Sequence, residues 1–188
     1  MSMRRRNPLL VGALTVVTYG AYFVFWFGMT WREMALKINS RRMNAVGHSA
    51  ALLIPIYGLF RLADHFNTLD EIAQELGVAG PPRPLQMVSL ATVAAILASP
   101  LNVFVSFVIF DAGAPPLIAI SLPFIVAFAL AGAVAAWGQR TLNRCWNASA
   151  AGGLSVATGL SMVERAVLAL GTASFIWMAI LASVALAR

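Results

Sequence analysis

Charge is what this chain has least of. Only 11% of its 188 residues are Asp, Glu, Lys or Arg, against about 25% in an ordinary soluble domain. Seven acidic and thirteen basic side chains cannot give a protein of 20.0 kDa a water-soluble surface. Cysteine is nearly missing as well. Cys145 stands alone, which excludes an internal disulfide and supplies at most half of a C-x-x-C pair. The two histidines, His48 and His65, have no partner at the spacing of a recognised zinc site. There is no P-loop and no dinucleotide-binding glycine fingerprint. Gly152-Gly153-Leu154-Ser155 lacks the G-x-S-x-G elbow of a serine nucleophile. Neither a catalytic residue, a cofactor nor a metal is expected from these residues, and an enzyme is not the expected class.

What is present is apolar. Hydrophobic residues make up 60% of the chain and the mean hydropathy is +0.81. The expected fold class is all-α, a polytopic helical integral membrane protein forming one membrane domain over residues 1–188. Three runs, at 85–110, 116–138 and 162–187, are long enough to span a hydrocarbon core of about 30 Å at about 1.5 Å per residue. The first two read as a transmembrane hairpin over 85–138, turning at Asp111–Pro115. The third opens with Ser161-x-x-Glu164, a capping-box pattern. Small residues line the second span at Ala127, Ala131 and Ala135, at Ala129 and Ala133, and at Gly132, the spacing that lets helices approach closely in lipid. Pro100 and Pro123 should kink their spans. Asn102 is an intramembrane polar group that needs a partner.

The net charge of +6 would suit nucleic acid, but the basic residues flank apolar runs rather than forming one face. Such flanks orient membrane proteins and attract anionic headgroups, so membrane lipids are expected partners and nucleic acid is not. The arginines at 4–6 also precede an apolar stretch as in a signal peptide, but no A-x-A cleavage site follows.

The N-terminal half holds two shorter membrane segments, 8–31 and 49–63. They begin two units, 8–43 and 49–77, that read as an internal repeat offset by 38 residues. Over 24 aligned positions six are identical, among them Tyr19-Gly20 with Tyr57-Gly58 and Glu33 with Glu71. Each unit continues into an expected amphipathic surface helix. In the first, Trp31, Met34, Ala35 and Ile38 share a face, with Arg32, Lys37 and Arg41 opposite, and residues 30–43 are expected to lie in the membrane plane. In the second, Leu69, Ile72, Ala73 and Leu76 follow the same spacing between a Thr68-x-x-Glu71 capping box and a Gly77 stop. The short segments either cross as a pair or dip in and return. Crossing puts residues 32–48, with four basic side chains, outside the cell, and basic loops are biased inward, which favours dipping. Against dipping, a run of 24 residues is ample for one span.

Arg6-Asn7-Pro8, Thr18-Tyr19-Gly20-Ala21-Tyr22 and Trp26, followed by a polar helix, resemble the start of the bacterial membrane proteins called domain of unknown function 4234. Tyr57-Gly58, the stretch 62–67 and Leu142-Asn143-Arg144-x-Trp146 are similar to later parts of such proteins, although Ile56 stands where the first unit has Thr18. The resemblance implies a bacterial inner-membrane protein and brings no catalytic residues; the inward bias of basic residues puts the N-terminus, with its arginines at 4–6, in the cytoplasm.

Few candidates for a site remain. Arg61 and Asp64 are charges set into an apolar run at i, i+3, and with Tyr57, Gly58, Tyr22 and Trp26 they could dock a lipid headgroup or a partner's carboxylate. Tyr19, Tyr22, Phe23, Trp26 and Phe27 read most simply as an interfacial aromatic belt, and more sharply as a pocket lining. Asp64, His65, Asp70, Glu71 and Glu75 read as a solvated helix face rather than a cation site. The expected function is a non-catalytic structural or accessory subunit packing against another membrane protein or itself. The alternative is a small transporter or lipid-handling protein, ahead of an enzyme acting on lipid at the cytoplasmic surface.

Overall fold

The computed structural model describes residues 3–38, 44–52, 54–81, 83–99, 104–105, 108–109, 117–151, 156–158, 161–162 and 164–173. They are helical, with one exception: β1 (Met3–Arg5) and β2 (Val156–Thr158) form a parallel pair, Met3 opposite Val156. Three-residue strands carry no alternation that a sequence pattern could reveal.

The run at 8–31 is not one helix. α1 (Pro8–Val17) and α2 (Ala21–Lys37) are separated by a turn in which Tyr19 has φ 51° and Gly20 φ 82°. Asn7 caps α1, its side chain accepting from the amides of Leu9 and Leu10, and Pro8 follows where a missing N–H does no harm. Thr18 joins the two helices. Its hydroxyl donates to the Leu14 carbonyl at 2.7 Å and accepts from the Tyr22 amide at 2.9 Å. The chain then turns back, so that Arg6, before α1, lies beside Met29 and Glu33 of α2.

The second unit turns differently. α3 (Ala45–Ala51) and α4 (Pro55–Glu75) break around Leu52–Ile54, ahead of Pro55. Proline cannot continue a helix but starts one well, and Ile56 offers no hydroxyl like that of Thr18. Tyr57-Gly58 therefore sits inside α4, where Gly58 serves a close approach instead: a Cβ there would lie 3.0 Å from the Leu52 Cα. α4 runs unbroken past Thr68, so the expected capping box at Thr68 and Glu71 starts no helix. It ends as expected at Gly77 (φ 64°), where the amides of Gly77 and Val78 bond to the carbonyls of Gln74 and Ala73. Part of the expected in-plane helix at 30–43, residues 39–43, lies outside the described residues. Residues 30–37 continue α2, and Thr30, Trp31, Glu33 and Met34 are buried against the rest of the protein.

α5 (Pro84–Leu97) stops at Ala98, short of the expected span end at 110, and Pro100 and Asn102 lie outside the described residues. α6 (Leu117–Ala151) is longer than expected, carrying Pro123 within it and running on through Trp146. Among the described residues Ser121–Ala150 is the one helix long and apolar enough to cross a membrane. The small residues of α6 are used within the chain: Gly132 meets Gly12 of α1 so closely that a Cβ on either would lie 2.8–3.0 Å from the other's carbonyl oxygen. Residues 162 and 164–173 begin the last helix. Ser161 and Glu164 form the expected reciprocal cap, at 2.6 and 3.2 Å.

α6 also acts as a ruler for the rest. The α1–α2 turn touches it at Phe128, α1 at Gly132, Trp26 and Phe66 at Gly138, and Arg6 at Asn143. The core lies between these helices, built on Leu14, Tyr22, Trp26, Phe66, Leu69 and Trp146.

Candidate functional site

Most of the motif residues of the sequence meet at one place. Arg6 is 4% exposed and holds two carboxylates: its Nη2 lies 2.8 Å from Glu33 and its Nε 2.5 Å from Glu164. The Tyr22 hydroxyl donates to the same Glu164 oxygen at 3.0 Å. Trp146 Nε1 donates to the second Glu33 oxygen at 3.2 Å. The second Glu164 oxygen accepts from the Ser161 amide. All four carboxylate oxygens therefore have donors, as buried charge requires.

A second string of amides ties this knot to α6. Asn143 accepts from the Arg6 amide and from Gln139, and donates to the Arg6 carbonyl at 2.7 Å. Gln139 in turn accepts from Trp26 Nε1 at 2.9 Å. Gly138 lets the Trp26 ring approach the helix closely, since a Cβ there would come within 2.7 Å of it. Several of the motif residues thus acquire a physical role. Arg6 pairs, Asn7 caps, Thr18 and Gly20 turn the chain, and Tyr22, Trp26, Asn143 and Trp146 close the network.

One guanidinium faces two carboxylates. Burial pushes the Glu33 carboxyl above its ordinary value, against the pull of Arg6. A saturated, desolvated triad of this kind braces three segments of chain.

Tyr22 and Trp26 belong to the core: with Phe27 they are fully buried, which overturns the interfacial belt. Only Phe23 of that stripe, with Gly20 and Gly58, lines an apolar cavity of about 190 Å³ between the turns, α5 and α6. Arg61 pairs with Asp64 at 3.1 Å, as its spacing predicts, and Nε and Nη2 both donate to the Tyr57 hydroxyl, the guanidinium lying 4.9 Å from that ring's centre. This exposed cluster is separate from the buried Tyr22 and Trp26. The structure does not bring the six candidate docking residues into one site.

His65 is not on a solvated face. It is fully buried among Phe27 (4.5 Å between ring centres), Trp31 (5.2 Å), Phe66 (5.5 Å) and Trp26 (5.6 Å), with Thr30 Oγ1 3.5 Å from Nε2. Burial lowers its pKa to about 3. Among the described residues no group of acidic, histidine or cysteine side chains could hold a metal ion.

No family model, curated protein or solved structure matches the chain.

The buried pairing of Arg6 with Glu33 and Glu164 escaped sequence reasoning because its members lie 27 and 158 positions away. The available signal was Arg6 itself, an arginine directly before a helix start, and Glu33, an acid among basic residues.

Proposed function

We propose that the chain is a multi-pass protein of the bacterial cytoplasmic membrane, related to the domain of unknown function 4234 proteins. In this reading its N-terminus is cytoplasmic, and it acts as a non-catalytic accessory subunit that packs against another membrane protein or a second copy. The observation that carries it is the saturated Arg6–Glu33–Glu164 knot, which commits the polar motif residues to bracing the fold. Outside the knot, exposed Leu85, Ile96, Leu122, Ile125 and Leu170 offer an apolar exterior suited to lipid or to a membrane partner.

The ruler along α6 supports dipping rather than crossing. If 116–138 fills the hydrocarbon core, the α1–α2 turn at Phe128 lies ten residues, about 15 Å, inside Gly138. That depth is near the middle of a core of about 30 Å. Arg6 meets α6 at Asn143 and Glu33 meets it at Trp146, roughly one and a half to two turns beyond Gly138, at headgroup level, so the chain enters and leaves on one side. Buried against α6, the turn's backbone meets the condition for irregular structure at membrane depth.

Single cysteines at Ser40, Gly77 and Gly113, in a Cys145→Ser background, test the topology with an impermeant thiol reagent on intact cells. Labelling is expected at Gly113 alone. Labelling at Ser40 would establish a crossing pair. Co-purification in mild detergent tests the role, with a stoichiometric protein partner or a self-associated species as the expected result. A monomer that carries a solute or lipid and no protein would favour the second reading, a lipid-handling protein, which the apolar cavity between the turns supports.

A further inference from the structure

One stripe of α2 lines an open groove: Ala21, Val24, Phe25, Gly28, Met29 and Arg32, at the i, i+3, i+4 spacing of a single helical face, with Phe25 and Met29 half-buried where they also pack against the core. α3 runs beside it. Gly28 allows this, because a Cβ there would collide with Ser49 Oγ. The two helices form an open groove whose other side is Ala45, Val46, Ser49 and Ala50, with a volume of about 540 Å³. Val46 is 78% exposed and Ala50 is exposed. The groove is apolar apart from Ser49 and ends in the exposed Arg32, which has no ion-pair partner among the described residues.

Its dimensions match one chemical class. From Ala21 to Arg32 the stripe rises about 16 Å, and half of a hydrocarbon core is about 15 Å. Arg32 adjoins Glu33, at the level of the Arg6 knot, while Ala21 follows the deep turn. An acyl chain laid along the stripe would bring its phosphate to the guanidinium, which suits a phosphate geometrically and in charge. A peptide helix fits less well: besides Arg32 at one end the groove offers only Ser49, whose hydroxyl already donates to the Ala45 carbonyl, to satisfy a partner's side chains.

We propose that the α2–α3 groove binds one membrane phospholipid with an anionic headgroup, an acyl chain lying along Val24, Gly28 and Ala50 and the headgroup phosphate held by Arg32. The proposal rests on the membrane placement given above.

The test is native mass spectrometry of the full chain in dodecyl maltoside, titrated with phosphatidylglycerol and with phosphatidylcholine of matched acyl chains. One phosphatidylglycerol per chain is expected, with about a fivefold preference over phosphatidylcholine, the worth of one basic residue near an anionic group. Arg32→Gln should abolish the preference and keep the weaker binding. Ala50→Trp, which fills the groove from an exposed position, should weaken both lipids. Arg61→Gln should change neither. Equal binding of the two lipids by the wild type would overturn the proposal, as would a preference that survives Arg32→Gln or that follows Arg61. If Ala50→Trp does not fold, as judged by its helical circular dichroism, the exposed Arg32→Gln change decides alone. Carbonate washing separates this from the membrane reading. Release of the chain from membranes would sink the placement itself, whereas retention without lipid preference would sink only the groove.

Discussion

Replacing Arg6 with leucine is expected to destabilise the protein by about 3–5 kcal/mol, the usual consequence of removing one partner from a buried ion pair. The loss should exceed that of a single pair's attraction, because Glu33 and Glu164 would both remain buried without their cation. Its pH dependence identifies the cause. Burial already holds the Glu33 carboxyl above its ordinary value with Arg6 opposing, so removing Arg6 raises it further. A group whose pKa is higher in the folded state binds protons preferentially there as pH falls. The deficit of Arg6→Leu should therefore shrink between pH 7 and pH 5. Arg6→Lys should fall between wild type and Leu, since one ammonium cannot reproduce the Nε and Nη2 fork that reaches two carboxylates. Thermal or denaturant unfolding in detergent measures all three. A leucine variant as stable as wild type would show that the knot contributes nothing net.

Acid should weaken the fold through His65. Its folded pKa of about 3 lies below the ordinary value of 6.5, burial being the cause. Above pH 6.5 both folded and unfolded chains hold this ring neutral, and its packing is fully effective. As pH falls, the unfolded chain takes up a proton that the folded one refuses, and stability drops by about 1.4 kcal/mol per pH unit. At pH 5 the loss is about 2 kcal/mol relative to pH 7 by the same linkage. His65→Phe keeps an aromatic ring among Trp26, Phe27 and Trp31 and cannot titrate. Its melting temperature should lose this part of the acid sensitivity while the remainder, from the carboxyl groups, persists. Parallel pH profiles for wild type and His65→Phe would show that the ring is not held neutral by its surroundings.

Local signals in the chain were readable wherever they arise from neighbours in sequence. The Ser161–Glu164 cap, the Gly77 stop and the Arg61–Asp64 pair all depend on groups within four residues of each other, and each is present in the structure. Composition likewise announced a helical chain with too little charge for a soluble surface. Where one local signal competed with another, the reading failed. Thr68 and Glu71 have the residues of a cap, but a helix already under way at Pro55 has no reason to stop for them. The repeat is visible at Tyr19-Gly20 and Tyr57-Gly58, yet only the first glycine takes a positive φ. Pro55 moves the second break upstream, and Thr18 has no counterpart to bridge it.

The amino-acid order by itself determined the helices, their caps and the long apolar segment of α6, because propensity, capping and hydrophobic burial act over a few residues. It also determined which side chains were unusual: an arginine at the head of an apolar run, a glutamate among basic residues, a tryptophan after T-x-G-x-Y. Only the tertiary structure decided what those residues do. Arg6 finds Glu164 across 158 positions, Trp26 and Trp146 each reach across 113, and His65 is enclosed by rings from another helix. Aromatic residues expected at an interface became core, since burial is settled by what packs against a face and not by the face alone. Contacts of such separation cost chain entropy that is repaid only when the whole bundle closes, so no window of sequence contains them.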